Sequence, residues 1–198
     1  MSSERVAAAF LLVGSLLFII AAFMPVSQVY IAPTSAAKLQ IIYSARTAWT
    51  ASQVLFGLGA SIAAIGLGFV AYHLRPTPGA VWAYLGLGAV ILGAVFWEGY
   101  VYLRTIDPEG FAEGGPVGWL FPAYALLTQF GLLVFGVAYL LAGYPSWLGG
   151  ITITGAVVFF IVFLILKDIP PFFYYILTFI AGIRLIMRRG VRRRTALF

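Results

Sequence analysis

Six apolar stretches constrain this chain more than any other feature of its sequence. Each is close to the roughly 20 helical residues needed to cross the hydrocarbon core of a bilayer. Backbone groups inside lipid must be satisfied within the segment that carries them, so each stretch is predicted to be an α-helix. The predicted spans are residues 6–24, 53–72, 80–103, 117–141, 147–166 and 171–187.

The composition agrees with a protein that is largely covered by lipid. Hydrophobic residues make up 63% of the 198 residues and charged residues only 9%, whereas a soluble domain carries about 25% charged residues. We therefore predict an all-α fold, a polytopic transmembrane helix bundle with six spans in one domain over residues 1–198. The first stretch is longer than the roughly 7–15 apolar residues of a signal peptide, so we interpret it as a retained span.

The arginines indicate how the bundle is oriented. Residues 188–198 form a basic tail after the sixth span, and Arg5 and Arg75 fall on the same side of a six-span protein. Loops on the cytoplasmic side are enriched in Lys and Arg, so both termini are predicted to be cytoplasmic in a multi-pass protein of the cell membrane. The tail is expected to bind anionic lipid headgroups rather than nucleic acid, through Arg188, Arg189, Arg192, Arg193 and Arg194.

The longest connection joins the first two spans. Its second half lacks glycine and proline and contains helix-forming residues. We predict that it continues into the second span as one helix over residues 36–73. Such a helix is longer than the membrane is thick, so part of it is expected to project outward or to bend along the surface.

Glu98 is the most informative polar residue. A carboxylate inside a span costs a few kcal/mol on insertion scales, and such groups usually face the interior of a bundle. Polar groups gather in the outer half of the predicted spans and are scarce in the inner half, which favours an outward-facing pocket over a complete conduit. The candidate ligand-binding residues at this depth are Glu98, Gln53, Trp97, Tyr102, Gln129 and Tyr174.

A structural role for Glu98 is the open alternative. A protonated Glu98 bonded to Gln53 or to a tyrosine hydroxyl would fix helix packing, and an ionised one would pair with Arg46 or Arg104. Gln129 is also typical of an interhelical hydrogen-bond donor.

Small residues recur at four-residue spacing on the second and third spans. The positions are Ala60, Ala64 and Gly68, and then Ala89 and Gly93. This spacing lets helix backbones approach closely. We interpret it as packing inside one bundle, with dimerisation as the alternative.

The sequence contains no pattern that points to catalysis or to a cofactor. It has no cysteine and one histidine, His73, so thiolate chemistry is excluded and a histidine-rich metal centre is not expected. No nucleophile motif appears, and the carboxylates form no pair inside the predicted spans. We expect no cofactor and no metal, and an enzyme is the third-ranked interpretation.

The C-terminal third carries a resemblance. The turn Tyr144-Pro145-Ser146-Trp147-Leu148-Gly149, followed by an apolar span and a short arginine-rich tail, resembles the last helices of small multi-pass prokaryotic membrane proteins of unknown function. The resemblance implies a retained bundle in a cytoplasmic membrane, and it implies no activity.

Two functions are consistent with these observations. The first is a structural or accessory subunit of a larger membrane assembly, with the bilayer and other membrane subunits or a second copy of the chain as partners. The alternative is a binding or transport protein for a small apolar or weakly cationic ligand, held in an outward-facing pocket around Glu98.

Overall fold

Every regular element in the described part of the chain is helical. The computed structural model describes residues 3–115, 118–166 and 172–195, and their side chains over 4–115, 118–166 and 172–187. The predicted all-α fold is therefore confirmed. The helices are α1 (Ser3–Ala22), a 3₁₀ helix (Pro25–Ile31), α2 (Ser35–Ser44), α3 (Arg46–Leu74), α4 (Ala80–Ile106), α5 (Pro108–Ala112), α6 (Leu120–Leu141), α7 (Ser146–Leu166) and α8 (Phe172–Thr195).

Within the residues that the structure describes, five helices are long and apolar enough to cross a membrane: α1, α3, α4, α6 and α7. In α8 the apolar part, Phe172–Met187, is shorter than these five. The length and composition of the described helices thus suit a multi-pass membrane protein.

Neighbouring long helices pack antiparallel, and glycines bring their backbones into contact. A Cβ atom placed on Gly14 of α1 would lie 2.5 Å from the backbone nitrogen of Ala63 on α3. One placed on Gly86 of α4 would lie 2.9 Å from the carbonyl oxygen of Gly131 on α6. Any side chain at these two glycines would force the helices apart, as expected for small residues at membrane helix interfaces.

Three of the small residues singled out in the sequence, Ala60, Ala64 and Gly93, lie within the bundle. Ala60 and Ala64 are 4% and 9% exposed. A Cβ atom on Gly93 would lie 3.0 Å from Cγ2 of Thr128 on α6. These three residues therefore pack between helices of the same chain.

The long helices follow one another around the bundle in the order α8, α1, α3, α4, α6 and α7, and α7 packs only lightly against α8. Helix α8 runs antiparallel to α1. The ring of Phe172 lies 5.6 Å from that of Phe23, and a Cβ atom on Gly182 would meet the side chain of Leu12 at 3.1 Å.

The prediction of one helix over residues 36–73 is wrong. The backbone leaves the helical conformation at Ala45 (φ −131°, ψ 41°), which separates α2 from α3. Helix α2 packs against the 3₁₀ helix and α5, and Ile42 is fully buried in a small core with Val26 and Val29. Burial of this apolar surface favours the break, because a continuous helix would leave Ile42 in water.

We call the 3₁₀ helix, α2 and α5 together the cap. A hydrogen bond holds it together, from Oγ of Ser35 to the carbonyl oxygen of Ala112 (3.0 Å). The cap covers the end of the bundle where α3 begins and α4 ends, and we call this the capped end. At the opposite end of the bundle, Nε2 of His73 lies 2.9 Å from Oε1 of Glu4.

Candidate functional site

Helix α4 directs one continuous face into the bundle, and that face ends in a charge. Its buried positions are three or four residues apart, the spacing that places side chains on one side of a helix. Arg104 is the last of them before the cap and is only 2% exposed. The buried face consists of Ala83, Gly86, Val90, Gly93, Trp97, Val101 and Arg104.

Aromatic rings surround the guanidinium of Arg104. Five ring centroids lie within 6 Å of its Cζ atom, close enough for cation–π attraction. They come from the 3₁₀ helix, from the start of α3 and from α4 itself. The distances are 4.8 Å for Tyr100, 4.9 Å for Trp97, 5.3 Å for Tyr30, 5.4 Å for Phe56 and 5.9 Å for Trp49. We call Arg104 and these five rings the Arg104 cage.

One polar side chain reaches into the cage from α3. Nε of Arg104 donates to Oε1 of Gln53 at 2.5 Å. Nε2 of Gln53 donates in turn to the hydroxyl oxygens of Ser52 (3.0 Å) and Tyr30 (3.4 Å). Gln53 is 1% exposed, whereas Tyr30 is 37% exposed, so this chain of bonds runs from the interior to the surface of the capped end. It orients the guanidinium but leaves its positive charge uncompensated.

Two donors in the cage have no acceptor. Nη2 of Arg104 and Nε1 of Trp49 are buried without a hydrogen-bond partner. No carboxylate of the described residues lies within ion-pair distance of Arg104. A buried donor without an acceptor costs about 1–3 kcal/mol, and more when it is charged. The cage therefore contains a buried cation that lacks an anionic partner and a hydrogen-bond acceptor.

Glu98 lies in the groove between α3 and α4 and is half-buried. Its Oε1 accepts a hydrogen bond from Oγ of Ser61 on α3 at 2.8 Å. A Cβ atom on Gly57 would lie 2.5 Å from Oε2 of Glu98, so the missing side chain leaves room for the carboxylate. The structure thus pairs Glu98 with Ser61, and not with Gln53 or an arginine.

The other candidate residues are distributed over the bundle. Trp97 belongs to the cage into which Gln53 reaches, and its Nε1 donates to the carbonyl oxygen of Phe56 at 3.3 Å. Gln129 is 6% exposed and its Oε1 has no partner. Tyr174 is 3% exposed, whereas Tyr102 is 63% exposed on the outside of α4. The structure therefore brings Gln53 and Trp97 together and leaves Tyr102 apart.

Trp97 connects the cage to an aromatic column across the bundle. Its ring centroid lies 4.5 Å from that of Tyr124 on α6, whose hydroxyl donates to that of Tyr175 on α8 (3.2 Å). The ring of Tyr175 stacks on that of Phe18 in α1, with centroids 3.7 Å apart. The column therefore fixes the position of the cage relative to four helices.

Arg104 is the residue that sequence reasoning missed. The sequence suggested Arg104 only as a partner for an ionised Glu98. The available signal was its spacing, because it follows Trp97 by seven residues and Val101 by three. Seven residues are about two turns of an α-helix, so Arg104 shares the face of Trp97.

The predicted headgroup-binding arginines cannot be placed in this geometry. The side chains of Arg188, Arg189, Arg192, Arg193 and Arg194 lie outside the described residues. The backbone of α8 is helical through these positions as far as Thr195.

Comparison with known proteins adds no family to these observations. Set against protein-family models, curated proteins and solved structures, the chain matches none of them. The function of the chain is therefore inferred from the geometry of the bundle and its cage.

Proposed function

We propose that the chain is a six-span protein of the cell membrane with both termini in the cytoplasm. The path of α8 supports the sixth span, because α8 returns along α1 from Phe172, near Phe23, to Gly182, near Leu12. The arginines at the end of α8 support a cytoplasmic C-terminus. In this orientation the cap and the Arg104 cage lie on the outer side of the membrane.

Within this topology we propose a binding protein for a small ligand that occupies the Arg104 cage from the capped end. The observation that supports it is the buried guanidinium of Arg104, which has no carboxylate partner and an Nη2 atom without an acceptor. Burial of an unpaired ion costs several kcal/mol. A ligand that supplied an acceptor would offset this cost, and Nε1 of Trp49 offers it a second donor.

The cage favours a ligand with an apolar body and an anionic or strongly accepting group. Arginine pairs with carboxylate through two parallel hydrogen bonds, and such charge-assisted bonds are among the strongest in proteins. Aromatic walls with a few directed polar groups are typical of small-molecule sites. The weakly cationic ligand expected from Glu98 alone is disfavoured here, because Arg104 would repel it.

Native mass spectrometry of the protein, released gently from its own membrane, tests this proposal. We expect the unaltered chain to carry a small-molecule mass. Arg104→Gln is expected to retain it at least about 10-fold more weakly, which corresponds to about 1.4 kcal/mol. Arg46→Gln is the matched control, since Arg46 begins α3 at the same end of the bundle and is exposed.

Two results would contradict the binding proposal. One is an unaltered chain that carries no small molecule. The other is a bound molecule that Arg104→Gln and Arg46→Gln retain equally. In either case the cage would serve packing alone.

A second candidate is the accessory subunit of a larger assembly. The observation that favours it is the exposed face of α4, where only 28% of the most apolar stretch is buried, compared with 61% in α6. Gly88 lies on this face, and a Cβ atom there would meet nothing within 4 Å. A partner helix on this face would be displaced by Gly88→Trp, whereas lipid would adapt to it. If the unaltered chain co-purifies with a second protein at fixed stoichiometry and Gly88→Trp does not, the result would support the accessory-subunit function.

A further inference from the structure

The seam between α7 and α8 contains a cavity that the proposed function does not use. These two helices pack only lightly against each other, and the cavity of about 250 Å³ lies between them. Because α7 and α8 are antiparallel, the start of α7 lies opposite the second half of α8. The lining residues are Trp147, Ile180, Ile183, Arg184 and Met187.

A single cation lies in this otherwise apolar lining. Nε of Arg184 is buried and has no hydrogen-bond partner, although the other four lining side chains are apolar or aromatic. Ile180, Ile183, Arg184 and Met187 follow one another at three- or four-residue spacing, so they form one face of α8. A ligand in this cavity would need an acceptor for Arg184 and apolar surface for the rest.

The surroundings of the cavity indicate where that ligand comes from. Trp147, Ile183 and Met187 are 52%, 40% and 60% exposed, so the cavity opens to the lipid-facing surface of the bundle. Tryptophan is enriched where lipid headgroups meet the hydrocarbon core. The chain continues past Met187 into five arginines, and such clusters attract anionic lipid surfaces.

We propose that the seam is a binding site for one phospholipid with an anionic headgroup. The lipid phosphate accepts from the guanidinium of Arg184, and the start of an acyl chain lies between Trp147 and Ile180. A cavity of about 250 Å³ is below the roughly 300–1,000 Å³ of sites that enclose a whole ligand. It therefore suits a headgroup and the beginning of a chain, with the remainder in the bilayer.

This site is independent of the Arg104 cage. It involves the C-terminal half of α8, whereas the cage lies under the cap at the other end of the bundle. Lipid binding in the seam and ligand binding in the cage can therefore succeed or fail separately.

Titration of the purified full chain with lipid, followed by native mass spectrometry, tests the seam. Phosphatidylglycerol is expected to bind at least about 10-fold more tightly than phosphatidylcholine of the same chain length. Arg184→Gln is expected to remove this preference and Arg184→Lys to keep part of it, because lysine provides charge without the planar fork of arginine. Arg75→Gln, which removes an exposed arginine from the loop after α3, is expected to change nothing.

Two results of the titration would overturn the lipid site. One is an equal preference for phosphatidylglycerol in Arg184→Gln and in the unaltered chain. The other is displacement of phosphatidylglycerol by millimolar inorganic phosphate, which would identify a site for a free anion.

Fluorescence in vesicles keeps the proposal testable if Arg184→Gln does not fold. Phosphatidylglycerol with brominated chains quenches tryptophan only on close contact, and the contribution of Trp147 is the difference between the unaltered chain and Trp147→Phe. We expect this contribution to be quenched more by brominated phosphatidylglycerol than by brominated phosphatidylcholine at equal mole fraction. Equal quenching by the two lipids would contradict the proposal.

Discussion

Along α3 and α4, the middle and the opposite half make glycine contacts with neighbouring helices, and the capped end carries buried rings and polar side chains. Gly86 of α4 touches the backbone of α6, and Gly66 of α3 would place a Cβ atom 2.9 Å from the side chain and the backbone nitrogen of Leu11. At the capped end the same two helices instead contribute Trp97, Gln53 and Arg104. Each of these two helices thus packs in two different ways along its length.

The difference is the basis for the binding site that we propose at the capped end. Close backbone contact in a membrane gives van der Waals attraction and leaves no space for a ligand. The capped end separates its backbones with large side chains and buries an incompletely paired guanidinium. A buried guanidinium without a full set of partners does not maximise stability, and for this reason we place the proposed binding site at the capped end.

The largest effect is expected from filling a glycine contact. Gly86→Val places a side chain against the carbonyl oxygen of Gly131, and such overpacking should lower the free energy of unfolding by about 3 kcal/mol. Gly88→Val lies two residues away on α4 with open space around it. It should change stability by no more than about 0.5 kcal/mol. Denaturant unfolding in detergent compares the two, and equal losses would contradict the described packing.

A smaller loss is expected from the aromatic column. Trp97→Phe removes the bond to the carbonyl oxygen of Phe56 and part of a buried side chain, so it should lower the free energy of unfolding by about 1–2 kcal/mol. Trp82→Phe, at a position that is 43% exposed on the same helix, is the matched control. If the aromatic column contributes nothing to stability, Trp97→Phe and Trp82→Phe will have the same free energy of unfolding.

An effect of about 1 kcal/mol is expected in the groove of Glu98. Gly57→Ala pushes against Oε2 of Glu98 and should break its bond with Ser61. Gly68→Ala, whose Cβ atom would make only an ordinary contact with Leu87, should cause no loss. Ser61→Ala removes the same bond and should lower the free energy of unfolding by the same amount as Gly57→Ala. If the double variant Gly57→Ala, Ser61→Ala loses no more than either single variant, both substitutions act through the bond between Ser61 and Glu98.

The smallest effect is expected on the surface of the cap. The hydroxyl of Tyr43 donates to Oε1 of Glu109; this bond lowers the pKa of Glu109 and raises the pKa of Tyr43. The contribution of Glu109 is complete above the ordinary pKa of a glutamate and is lost as the pH falls through its lowered value. The contribution of Tyr43 is complete below the ordinary pKa of a tyrosine and is lost as the pH rises through its raised value.

Unfolding as a function of pH checks this bond. Tyr43→Phe should be slightly less stable than the unaltered chain at neutral pH, and the difference should vanish in acid and in strong alkali. A difference that does not depend on pH would mean that Tyr43 acts through packing alone.

The sequence is sufficient to predict the long helices because their signal is local. Stretches such as residues 147–166 are uncharged and mostly apolar over the thickness of a membrane, and α7 occupies Ser146–Leu166. The break at Ala45 could not be predicted in this way. It depends on Ile42 meeting Val26 and Val29, a contact between segments that local helix propensity does not describe.

The site was predicted only in part, for a related reason. Gln53 and Trp97 were identified by their depth, and both contact Arg104 in the structure. Tyr102 has the same depth but is exposed on another side of α4. The depth of a side chain in the membrane follows from its position along the span. Whether the side chain points into the bundle depends also on which face of the helix is buried. That face includes Arg104 and excludes Tyr102.

The free energy of unfolding of the double variant Arg104→Met, Gln53→Leu tests the central claim most directly. The claim is that the Arg104 cage is kept for binding at the expense of stability. Replacing both partners with apolar side chains of similar size removes a buried charge and its unsatisfied donor, and such replacements are often neutral or stabilising by about 1–4 kcal/mol. We therefore expect the double variant to be at least as stable as the unaltered chain and to have lost its small-molecule mass. A loss of more than about 3 kcal/mol with the small molecule retained would contradict the claim, because Arg104 would then hold the fold together.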